Sequence, residues 1–375
     1  FNQKFFQRIK YVYDHEYKTL KGEDKKLLEV VYKDFTHAGA LLPKEKMARM
    51  QVINKELAKL QQEFGDMLPK AANEATVWVS DVKELAGLSE TDIAQCKKDA
   101  ESRGGKAPYC IVITNTTQQP ILASLENRGL RERVYNASTH RTDGTGAYNT
   151  FPVIVKIARL RAEKAQLMGY KNYASYSLSK TMAKNTDNVY AFLHQMIEAY
   201  KPKSEAQTKA IEEYMNKQVN MEGADFRLQP YDRFYYSAKM KKDQYSFSDD
   251  DVKPYFNLDS VLVNGIFYAA HRVYRLSFRE RKDIPTYHKD MKVFDVMDAD
   301  GKQLALFYCD YFRRPTKRGG AWMSAFLKQS GDRQQKPLIF NVCNYAKAPE
   351  GQPTLLTWDE TQTMFHEFGH ALHGM

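Results

Sequence analysis

Thr357-Trp358-Asp359-Glu360-Thr361-Gln362-Thr363-Met364-Phe365-His366-Glu367-Phe368-Gly369-His370-Ala371-Leu372-His373-Gly374-Met375 is the stretch around which the rest of the chain can be read. Thr357 followed three residues later by Glu360 is a capping box, in which hydroxyl and carboxylate satisfy the first free backbone N–H groups of a helix. From Trp358 nothing breaks that helix until Gly374, although Gly369 weakens it by about 1 kcal/mol relative to Ala. Positions four apart share a helix face, so His366 and His370 point the same way. Two imidazoles one turn apart can each place a nitrogen about 2.0–2.1 Å from a single Zn²⁺. Glu367 sits one residue round from the first of them, where a carboxylate can reach metal-bound water without occupying a coordination position.

His-Glu-x-x-His on a helix is the pattern of a zinc peptidase, with His366 and His370 as metal ligands and Glu367 as general base. The competing reading is two helix histidines partnered in a core. Three features favour the metal: the capped start, the depth of the motif within the helix, and the apolar Met364, Phe365, Phe368, Ala371 and Leu372 around it. A dry wall of that kind strengthens electrostatics at a metal. His373 is on the same stripe, but seven residues separate it from His366, about 10.5 Å of rise. That is too far for one tetrahedral ion, so a packing or supporting role is expected. An extended metzincin motif would need Gly at 373 and a third His at 376, and position 373 is His.

At 375 residues the chain can hold a large core and more than one domain. Its formal charge of +10 comes from basic residues dispersed among acids, as in Lys21-Gly22-Glu23-Asp24-Lys25-Lys26. This describes a solvated surface, with no nucleic-acid partner implied. Cys96, Cys110, Cys309 and Cys343 are far apart and form no Cys-x-x-Cys pair, which predicts small buried hydrophobes. No run approaches the roughly 18 apolar residues of a membrane span, so no membrane partner is expected. No leader is visible; a cytoplasmic location is the expectation, with the periplasm as the alternative. The start at Phe1 and the stop at Met375 read as a piece of a longer polypeptide, truncated at both ends.

Lys44 to Asp66 carries Met47, Met50, Ile53, Leu57, Leu60 and Phe64 at three-and-four spacing, a helix with a core stripe opened by Pro43. Residues 75–84 and 109–114 are strand candidates separated by a helix that Ser89 and Asp92 cap, and Asn115 to Pro120 is a polar turn. Further helices are predicted from Phe151 to Met168 and from Asn185 or Thr186 through Tyr200. His194 and His271 fall on apolar helical faces, where a partnered structural histidine is expected. The aromatic run Tyr231 to Tyr245 suits a peptide-binding cleft and a large core equally. Lys292 to Asp298 and Gln303 to Phe312 flank Asp300-Gly301 as a β-hairpin, and Arg318 to Phe326 and Lys336 to Asn344 are further strands. A small sheet thus precedes the metal helix, and its edge can pair with an extended peptide.

The stretch Thr363 to Met375 resembles the signature of the thimet-oligopeptidase family of zinc metallopeptidases, M3. Asn115 to Pro120, Lys253 to Leu258, Asn264 to Ala270, Lys317 to Met323, Asn341 to Asn344 and Gly351 to Leu356 resemble its bacterial peptidyl-dipeptidase branch. The resemblance implies a mainly α, two-lobed helical fold with a small β-sheet beside the metal helix. It divides the chain into a helical region with a short β element, 1–122, and an incomplete catalytic region, 123–375. It implies one Zn²⁺ per active site held by His366 and His370, with Glu367 as base and a third ligand, a glutamate, beyond Met375. Tyr and His residues further downstream would make transition-state contacts. The expected substrates are short peptides from which C-terminal dipeptides are removed. An endo-acting oligopeptidase and a non-catalytic peptide-binding protein with a vestigial motif are the alternatives. Residues 1–375 alone are expected to bind zinc weakly and to be inactive.

Overall fold

The computed structural model describes residues 2–113, 119–219, 227–246, 249–314, 316–348 and 351–375. The polar turn expected from Asn115 falls mostly outside them. The chain is mainly helical. In order it forms α1 (Gln3–Glu16), α2 (Gly22–His37), α3 (Lys44–Glu74), β1 (Val77–Val79), α4 (Glu90–Ser102), β2 (Tyr109–Ile111), α5 (Arg128–Thr139), α6 (Phe151–Leu167), α7 (Tyr173–Leu178), α8 (Thr186–Val219) and α9 (Pro230–Tyr245). Short α10 (Asp249–Val252) and α11 (Leu258–Ser260) lead into a π-helix over Val261–Phe267 and α12 (Tyr268–Tyr274). Strands β3 (Ser277–Glu280), β4 (Lys292–Met297), β5 (Gln303–Phe312), β6 (Trp322–Leu327) and β7 (Leu338–Tyr345) follow, and α13 (Trp358–Gly374) comes last.

The chain divides into two compact units. One comprises Phe1–Trp78, Asp99–Ile113 and Asn136–Asp225; the other comprises Val79–Lys98, Thr114–Tyr135 and Phe226–Met375. In the first, α3 packs along α6. Met50, Ile53 and Leu57 are buried from the predicted stripe, and Arg49 donates two bonds to Glu163 at 2.6 and 2.8 Å. The helix runs to Glu74, eight residues past Asp66, with Pro69 inside it. Likewise α8 runs on through Pro202 to Val219. A proline costs a helix one hydrogen bond, and in both cases the flanking residues hold. His194 does not pack as expected. It lies exposed on a stretch where Tyr190, Phe192, Met196 and Ile197 are also exposed. Periodicity marks which residues are apolar, not what covers them.

In the second unit the sheet order is β3-β4-β5-β7-β6. The expected hairpin is present as antiparallel β4 and β5, with Gly301 at φ +78° in its turn, a left-handed conformation that glycine adopts freely. β5 pairs with β7 in parallel, and β6 pairs antiparallel to β7. α13 packs on one face of β6 and β7, where Phe307, Ile339 and Met323 meet Phe368 and Gly374. The aromatic run is core rather than cleft at Asp232, Tyr235 and Tyr236, all buried. Asp232 takes bonds from Arg128 at 2.8 Å and from Arg131 at 3.0 Å, and the Arg131 guanidinium stacks 4.2 Å from the Tyr235 ring. All four cysteines are buried and none is in a disulfide, as the spacing implied. Among the described residues no helix is long and apolar enough to cross a membrane.

Candidate metal centre

The helix that carries the motif starts where the capping box put it. Glu360 N donates to Thr357 Oγ1 at 3.1 Å, and Thr357 N donates to Glu360 Oε2 at 2.9 Å. Asp359 and Glu360 in the first turn also complement the helix dipole. The start is tethered on both sides: Leu356 N donates to Phe256 O at 2.8 Å, Leu258 N donates to Thr354 O at 2.9 Å, and Tyr345 Oη donates to Glu360 O at 3.0 Å. Thr361, Met364, Glu367, Phe368 and Ala371 form the buried face.

His366 and His370 lie on the opposite, exposed face. Their Nε2 atoms are 3.1 Å apart and their rings cross at 85°. Two nitrogens of one tetrahedral zinc stand roughly 3.3 Å apart at the usual bond length, so the pair fits a shared ion. The dry wall expected around it is one-sided, because Phe365 is 42% exposed. His373 is also exposed, so the packing role expected for it is not seen. Among the described residues no group of three His, Cys, Asp or Glu side chains is assembled for a metal. His366 and His370 are side chains of the kind that a catalytic zinc, normally held by three protein ligands, can take.

Glu367 is 7% exposed, and its Oε2 atom is buried without a hydrogen-bond partner. A carboxylate oxygen left so is costly. This side chain turns inward at the edge of the imidazole face, where one oxygen is held in the interior.

The surrounding elements fix the helix. A Cβ on Gly265, in the π-helix, would meet Phe365 Cζ at 3.3 Å, so glycine allows that close approach. β6 is the last strand of the sheet and lies beside α13. The segment before β6 is anchored by residues within the stretches Lys317 to Met323 and Asn341 to Asn344. Asn344 Nδ2 donates to Arg318 O at 2.9 Å and to Gly320 O at 2.7 Å. Lys317 Nζ donates to Asp310 O and Phe312 O at 2.8 and 2.9 Å. Burial pulls the Lys317 amine down from its ordinary value.

Peptidase family M3 matches residues 121–375. The chain belongs to that family. Over all of its residues it is 36% identical to the dipeptidyl carboxypeptidase of Escherichia coli (strain K12), covering 54% of that protein. Over 96% of its residues it is 35% identical to oligopeptidase A of the same organism, covering 53% of that protein. Organellar oligopeptidase A of Arabidopsis thaliana is 29% identical over 96% of the chain, which covers 47% of it. The chain spans about half the length of the curated relatives it matches.

Proposed function

We propose that the polypeptide containing these residues is a zinc peptidase that hydrolyses short peptides and releases dipeptides from their C-termini. The observation that carries this reading is the 3.1 Å convergence of His366 and His370 next to the buried carboxylate of Glu367. His366 and His370 would hold the ion, with a glutamate from outside these residues as the third ligand. Zn²⁺, when bound, supplies Lewis-acid chemistry at the scissile carbonyl. Glu367 takes the proton from the attacking water and delivers it to the leaving amine. The open edge of β6 offers backbone groups to an extended substrate, which lays the scissile bond along α13. On this reading residues 1–375 alone hold zinc weakly and do not turn over substrate.

Release of dipeptides is supported by the match to a dipeptidyl carboxypeptidase over the whole chain. Endo-cleavage has almost equal support from the oligopeptidase A match. Amidating the substrate's C-terminus separates them, since only the dipeptide-releasing enzyme needs the free carboxylate. The hydrolytic reading is tested by Glu367→Gln in the intact polypeptide. Turnover should fall at least ~100-fold with zinc stoichiometry unchanged. Retained turnover removes Glu367 from this role, and wild-type protein without stoichiometric zinc removes the metal.

A further inference from the structure

Asn341 sits on β7, fully buried, and neither its Oδ1 nor its Nδ2 has a hydrogen-bond partner. A buried primary amide with both ends unsatisfied is rare, because each missing bond carries a desolvation cost. Its place in the sheet says which way it faces. Ile339, two residues earlier on β7, reaches Gly374 of α13 with its side chain, and so does Met323, the cross-strand partner of Asn341 on β6. Phe307, the β5 partner of Ile339, meets the Phe368 ring at 5.5 Å. Residues two apart on a strand share a face, so Asn341 points at α13.

Two fixed points set its level along the helix. Tyr345 bonds the carbonyl of Glu360 near the start of α13, and Ile339 lies against Gly374 at its end. Strand and helix therefore run alongside one another, and Asn341 falls beneath the middle turns, which present Glu367, Phe368 and Ala371 to the sheet. Burial raises the thiol of Cys343, the next residue on this side of β7, to about 12, and the nearby Glu367 carboxylate adds to that rise. Of the other side chains at the interface, Phe368, Ala371, Met323 and Phe307 have no polar atom to offer; Cys309, the β5 partner of Asn341, and Cys343 carry thiols, and Tyr311 and Tyr345 carry hydroxyls.

We propose that Asn341 is a positioning residue for Glu367: its amide and the inner carboxylate oxygen, Oε2, are joined across one buried water. Nδ2 of Asn341 donates to that water, which donates to Oε2. A buried water needs two to four polar partners, and these two side chains supply them. The arrangement fixes the carboxylate rotamer from beneath, leaving the other oxygen to the imidazole side. The assignment rests on the catalytic reading of Glu367 for its purpose, but not for its geometry.

Three measurements on the intact polypeptide test it. In a crystal structure, one water should lie within hydrogen-bond distance of both Asn341 Nδ2 and Glu367 Oε2. In a thermal cycle, Asn341→Leu should lower Tm in the wild-type background and leave it unchanged or raised beside Glu367→Leu, a non-additivity of ~2 °C or more. In kinetics, Asn341→Leu should lower kcat ~10-fold or more with KM and zinc content unchanged, and Asn341→Ser, which keeps a hydroxyl and room for water, should recover most of it. The proposal is overturned if Asn341→Leu shifts Tm equally, in either direction, in both backgrounds, if Ser and Leu variants lose kcat equally, or if the crystal shows Oε2 served by another group. An inert wild-type protein would defeat the peptidase reading alone, because the crystal and the thermal cycle still decide the Asn341–Glu367 link.

Discussion

Lys317 Nζ lies 3.0 Å from Asp310 Oδ1, with only 4% of either side chain exposed. The pair joins β5 to the segment that leads into β6, and Arg314 adds two bonds to the same carboxylate at 2.8 and 2.9 Å. Tyr287 Oη donates to it at 2.8 Å. A carboxylate this deeply buried is stable only while its partners remain.

Lys317→Met is therefore expected to destabilise the protein by about 3 kcal/mol, the usual cost of stripping one partner from a buried pair. Urea denaturation checks it. A loss below about 1 kcal/mol would mean that Arg314 and Tyr287 suffice.

The same carboxylate gives the acid limb of stability. Burial pushes the Asp310 carboxyl up, but the bonds from Arg314, Lys317 and Tyr287 outweigh burial and hold it at about 2. Its folded value lies below the unfolded one near ~3.9, so the stabilisation is complete above about pH 4 and is lost as pH falls toward 2. The effect amounts to roughly 2.5 kcal/mol. Asp310→Asn should flatten the fall of Tm across that window, and an unchanged slope would show that other groups set it.

Thr357→Ala removes the hydroxyl that caps α13 and should cost about 1 kcal/mol. Chemical denaturation measures it, and Thr357→Ser should restore most of the loss.

Asp232 has no exposed surface and takes charged bonds from Arg128 and Arg131. Asp232→Leu leaves the guanidinium of Arg131, 1% exposed, without its counter-charge, and a loss of 3–5 kcal/mol, on the order usual for a broken buried pair, is expected in equilibrium unfolding. Arg131 Nη1 also donates to the Leu125 and Glu126 carbonyls at 2.8 and 2.9 Å, and a variant as stable as wild type would show that these and the Tyr235 ring satisfy Arg131 unaided.

What the sequence made legible follows from how local each signal is. The capping box at Thr357 and Glu360 and the His366–His370 spacing lie within one helix, and both appear as read. The hairpin around Gly301 is equally local. β3, Ser277–Glu280, was missed because its residues are mostly exposed and two of the four are charged, so it has no apolar alternation. The parallel pairing of β5 with β7 joins residues about thirty apart with another strand between them, which no periodicity encodes. Sequence also could not tell that His194 would face outward, or that Asp232 and Arg131 would meet across a hundred residues. A charged residue inside the aromatic run Tyr231 to Tyr245 was the available hint for the latter.

β6 precedes β7 in the chain yet joins the sheet only through it. During synthesis, a nascent chain that has emerged only as far as Leu327 holds a strand with no neighbour to dock on. That strand waits for Leu338–Tyr345, and a dozen residues later α13 arrives to cover both. Edge strand, its one neighbour and the imidazole-bearing helix are thus made in that order, so a ribosome stalled before Leu338 would expose an unpaired strand.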